Sequence, residues 1–113
     1  MQPNYLGSLV LAFLLLWPTA TTAGFQEGTV RQILLHEPGI LMFQIGNEIT
    51  AAPQCAQATK QWAISLSDPI AKPMLAVLLS AQAQGKVVFV RGYSNTCRDW
   101  GDRELPSYVT LVD

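Results

Sequence analysis

The chain has 113 residues, a formal net charge of −1 and only 13% charged side chains. That balance supplies no basic footprint for nucleic acid and no electrostatic pull toward anionic membranes. With 2 cysteines and a single histidine, thiolate and imidazole chemistry have few carriers.

The first feature along the chain is an apolar run from Leu6 to Trp17, followed by Pro18 and small residues up to Ala23. At about 12 residues it falls short of the roughly 20 that span a bilayer. It has the proportions of the apolar region of a secretory signal, with a cut expected at Gly24. Residues 1–23 are therefore read as a signal peptide, and 24–113 as a single domain of about 90 residues. The absence of Lys or Arg from Met1 to Tyr5 leaves an uncleaved N-terminal anchor as the alternative. A cleaved chain is expected to be periplasmic or secreted, with no stable membrane association. In that oxidising setting Cys55 and Cys97 most simply form one disulfide. It closes a loop of roughly 42 residues, which the chain-entropy model values at roughly 4 kcal/mol.

Gly28 to His36 reads as a strand, Glu37-Pro38-Gly39 as a turn and Ile40 to Ile45 as its hairpin partner. Pro53 points to an extended Gln54-Cys55-Ala56. From Gln61 to Ser67 the chain alternates, with Trp62, Ile64 and Leu66 on one face, as in a half-buried strand. A turn over 68–72 then precedes a helix from Pro73 to Gln84. Its buried stripe is Met74, Val77, Leu78 and Ala81, and Gly85 ends it. Lys86 to Tyr93 is a near-continuous apolar strand, expected to be central, and Ser107 to Val112 is the last strand. Three strands, one helix and two strands match a mainly β fold: a five-stranded Greek-key OB-fold barrel with its helix between strands 3 and 4.

Gly28-Thr29-Val30, Cys55, Trp62-Ala63, Gly85-Lys86 and the strand leading to Cys97 together resemble a set of small exported bacterial proteins. More distantly, the chain is similar to the B subunits of subtilase-cytotoxin-like AB toxins, over nearly the whole mature part. The resemblance implies an OB-fold, a disulfide from the third strand to the region after the fourth, and a ring-shaped homo-oligomer that binds glycans. In those subunits a serine just before the G-x-V strand helps hold the sugar; Glu27 stands at that position here.

Most of the candidate chemistry lies in Cys97-Arg98-Asp99-Trp100-Gly101-Asp102-Arg103-Glu104. An indole offers a flat apolar plate to a sugar ring, and Asp99, Asp102 and Glu104 offer hydroxyl acceptors; Glu27 and Tyr93 are further ligand-binding candidates. The competing structural reading packs Trp100 over the disulfide above a solvated turn. Asp99, Asp102 and Glu104 match no full calcium-loop pattern, so no metal and no cofactor is expected. Nor does His36 have a partner in a nucleophile context. Trp62 and Phe89 are expected in the core. The expected function is a non-enzymatic exported module that binds a glycan. The alternative is a structural or inhibitory periplasmic protein that docks another protein.

Overall fold

The computed structural model describes residues 23–112, so all of the expected signal except Ala23 lies outside the described residues. Strand β1 spans Phe25–His36, β2 Ile40–Ile45, β3 Trp62–Ser65, β4 Val87–Gly92 and β5 Pro106–Leu111. One helix, α1, spans Ala71–Gln84, and a short 3-10 helix spans Gln54–Ala56. The strands form one antiparallel sheet in the order β3-β2-β1-β4-β5. β1 changes partner along its length: Phe25 to Thr29 pair with β4, and Val30 to His36 pair with β2. Where a closed barrel was expected, the hydrogen-bonded sheet is open. Among the described residues its edge strands β3 and β5 are bridged in parallel only between Trp62 and Glu104, just ahead of β5.

The core lies between the sheet and α1. Leu41, Phe43 and Ile45 on β2, Trp62 and Ile64 on β3, and Val88 and Val90 on β4 meet Ala71, Met74, Leu78 and Ala81 of the helix. Burying each large apolar side chain contributes about 1.5–3 kcal/mol. The opposite face of β2 and β3 is covered too: Ile40, Met42 and Ala63 form a second buried cluster against which Trp100 packs. No described helix is long and apolar enough to cross a membrane.

Several local expectations change. Gln54–Ala56 is helical rather than extended, with the Ala56 N–H donating to Pro53 O at 2.9 Å. Proline restricts the residue before it and leaves the residues after it free to turn. The helix begins at Ala71, two residues ahead of the expected Pro73. Pro73 then occupies the first turn, where its missing N–H leaves no intrahelical bond unmade. The buried stripe includes Ala71, while Val77 is only half-buried. β3 is shorter than expected and buried on both faces, because the loop after β4 covers its outer side. β4 is central, yet its burial alternates, so Phe89 is half-buried on the outer face rather than in the core.

Candidate functional site

The loop from Cys97 to Glu104 is tied down along its whole length. Cys97 is disulfide-bonded to Cys55, the middle residue of the 3-10 helix, with the two Cα atoms 6.3 Å apart. At the loop's base the Leu105 N–H donates to Thr96 O and the Tyr93 N–H donates to Leu105 O, each at 2.8 Å. Along the edge of β3, the Ala63 N–H donates to Glu104 O at 3.1 Å, and the Ser65 N–H donates to Asp99 Oδ2 at 2.8 Å. An exposed edge leaves a row of unpaired N–H groups. The loop supplies acceptors for two of them.

Those bonds decide what the loop's side chains are free to do. Asp99 also accepts from Arg98, Nε to Oδ1 at 2.9 Å and Nη2 to Oδ2 at 2.8 Å. The same Nη2 reaches Asp68 Oδ2 at 2.8 Å. The Arg98 guanidinium holds the Asp99 carboxyl below the usual carboxylate range, and the Ser65 N–H adds to this. It lowers Asp68 likewise, with help from the Ile70 N–H. Asp102 is exposed and pairs with Arg103, whose Nε donates to Gln61 Oε1 at 2.9 Å. Trp100 is half-buried; besides Ile40, Met42 and Ala63 it meets the His36 ring edge-on, with centroids 4.8 Å apart. The indole therefore lies over the outer face of β2 and β3.

Glu104 is in the interior, not on the loop surface where a ligand acid was expected: its exposure is 0%. Trp62 beside it is also fully buried and donates from Nε1 to Gln26 Oε1 at 2.8 Å. The Gly24 N–H donates to Glu104 Oε2 at 2.9 Å, while Oε1 has no partner. Burial raises the Glu104 pKa, and the Gly24 hydrogen bond opposes that only in part. A carboxylate removed from water favours its neutral form unless a cation or several donors compensate it.

Tyr93 is 56% exposed and lines a cleft of about 360 Å³ with Asp68, Arg98, Pro106 and Ser107. Glu27 lines a separate depression with Lys86, Val87 and Val112. The six candidates thus divide: Asp99, Trp100 and Asp102 strap or flank the loop, Glu104 lies inside, and Tyr93 and Glu27 sit in different depressions. Sequence spacing did not disclose the Arg98–Asp68 pair beside Tyr93, since its members are 30 residues apart. It also missed Arg91, whose guanidinium carbon lies 5.2 Å from the Phe25 ring centroid and 5.5 Å from that of Phe89. Among the described residues no three His, Cys, Asp or Glu side chains cluster to hold a metal ion. No family model, no curated protein and no solved structure matches the chain.

Proposed function

We propose that this chain is an exported, non-enzymatic binding module of the OB-fold type, and that it takes a glycan in the cleft around Tyr93. The observation that carries the reading is the meeting of an exposed tyrosine ring with the Arg98–Asp68 ion pair and Ser107 in that cleft. A phenol ring stacks on the apolar face of a sugar. A guanidinium donates to hydroxyls, and carboxylate and serine oxygens accept from them. A few convergent polar groups beside an apolar wall are what small-ligand sites use.

The OB-type topology is supported by β1 serving both halves of the sheet, by α1 lying between β3 and β4 in the chain, and by the parallel Trp62–Glu104 bridge between the sheet's edges. Export is supported by the apolar leader and by the Cys55–Cys97 disulfide, since such bonds persist in oxidising compartments. A glycan array probed with the mature domain is expected to give saturable binding. Tyr93→Ala should weaken it about tenfold or more, the scale of a 1.4 kcal/mol contact, while circular dichroism stays unchanged. An array with no binder sinks the glycan reading.

A second reading, docking of a protein partner, is favoured by one specific feature. Phe25, Phe89 and Tyr108 line up across β1, β4 and β5, with ring centroids 6.1 and 6.2 Å apart and Arg91 over two of the rings. Aromatic and arginine side chains are enriched at protein interfaces. A negative glycan array together with stoichiometric co-purification of one protein, lost in Phe89→Ser, selects this alternative.

A further inference from the structure

Glu104 is a fully buried carboxyl with one oxygen satisfied by a single main-chain N–H and the other by nothing among the described residues. Breaking or omitting one member of a buried ion pair is costly because the remaining charge stays in a poor solvent. Among the described residues no charged side chain compensates Glu104. Arg91, on β4, stacks over Phe25 and Phe89. Arg103, its neighbour in the chain, turns to Asp102 and Gln61. Among the described residues the one donor that reaches it is the nitrogen of Gly24, the residue at which the leader is expected to be cut.

We propose that removal of the leader between Ala23 and Gly24 leaves an α-ammonium on Gly24 that forms a buried ion pair with Glu104, so that processing completes the interior of the fold. Water hydrolyses the Ala23–Gly24 peptide bond; Ala23 departs with the new carboxylate, and the freed Gly24 nitrogen takes up a proton. Before the cut, that nitrogen carries one N–H and no charge. After it, three N–H groups and a positive charge face a carboxylate whose second oxygen lacked a donor.

The local geometry is built for a glycine at this place. A Cβ on residue 24 would lie 2.4 Å from Glu104 Oε1, and one on residue 92 would lie 1.8 Å from Oε2. Only two bare backbones let the carboxylate in. The segment after the new terminus is held in place: the Gly92 N–H donates to Gly24 O at 2.8 Å, and Phe25 and Thr50 exchange two main-chain hydrogen bonds at 2.9 Å. The terminal nitrogen is therefore fixed against Glu104 rather than left to fray. Because Gly24 is buried in the fold, the cut precedes folding, as it does for a chain exported unfolded.

The proposal rests on the leader reading and not on the glycan. Its test uses the full chain, secreted from a bacterial host, and a version with Ser-Gln inserted between Ala23 and Gly24 so that the same cut leaves two residues ahead of Gly24. Mass spectrometry is expected to place the native terminus at Gly24; a terminus elsewhere, or a retained leader, overturns both the leader reading and the ion pair. With the termini established, urea unfolding at pH 7 should show the inserted form about tenfold or more less stable in its unfolding constant. Glu104→Gln should abolish that difference.

The pH dependence has a definite sign. An ammonium whose folded pKa is raised above the ordinary terminal value of about 8 contributes stability below pH 8 that is lost as pH rises through the folded value. The native form's advantage should therefore fade in alkali. Equal stability of the two forms at pH 7, or an advantage that survives Glu104→Gln, overturns the ion pair while leaving the leader intact. Should the inserted form fail to fold, titration of the native α-amine by NMR decides alone: a value near 8 or below rejects the pair, and a clearly higher one sustains it.

Discussion

Asp99 shows how one side chain is taken out of the pool of free ligand groups. Its carboxylate accepts the Ser65 main-chain N–H and two bonds from Arg98. Hydrogen bonds to a charged group are worth about 1.5–3 kcal/mol, and Asp99→Ala should lose an amount of that order in urea titrations. The pH dependence follows from the same contacts. The folded carboxyl titrates below the ordinary carboxylate value of 3.8, so its contribution is present above that pH and is lost as pH falls through the folded value. Asp99→Ala should flatten the acid limb of the stability curve there; an unchanged limb would mean that the charge does nothing for the loop. Asp, Trp, Asp and Glu in one loop look alike in a sequence string, yet the four have different fates. Trp100 lands on Met42 and Ala63, Asp99 on the β3 edge, Asp102 on Arg103 and Glu104 in the interior. Those fates depend on which strand the loop crosses, and spacing carries no record of it.

At the scale of elements, helix α1 illustrates both what periodicity reveals and where it stops. Gly85 ends the helix in a left-handed conformation at φ 63°, and its N–H bonds back to the last turn. An L-residue there is strained by about 1–2 kcal/mol, so Gly85→Ala should lower the urea midpoint correspondingly without changing the slope. No loss would show that the cap relaxes freely. The alternating four- and three-residue spacing of Met74, Leu78 and Ala81 marks the buried face, and all three are buried. Periodicity does not say how far the helix extends, so its start at Ala71 rather than Pro73 was missed. The alternation in β3 pointed to one wet face, but Ala63 and Met42 lie under Trp100 from a distant loop. A face reads as exposed in the sequence whenever its cover comes from elsewhere in the chain.

For the whole molecule, the Cys55–Cys97 bond ties the segment ahead of β3 to the loop after β4. Closing 42 residues of chain constrains the unfolded ensemble by roughly 4 kcal/mol, a large fraction of what a small domain retains. Cys55→Ser with Cys97→Ser should lower stability on that scale and free the loop from the edge of β3. Intact mass measured with and without reductant, followed by urea unfolding, checks it; two free thiols in the native protein would remove the constraint altogether. The strands, the helix and the cysteine pairing were legible because each depends on local pattern or simple counting: alternation, a helical stripe, a glycine stop, two thiols and no third. Sheet order, the open edge between β3 and β5, the covering of β2 by Trp100 and the burial of Glu104 against Gly24 belong to the tertiary structure alone. The physical reason is range. Local pattern records which face of an element is apolar, while burial and electrostatics at a site are set by residues tens of positions away that meet only after the chain has folded.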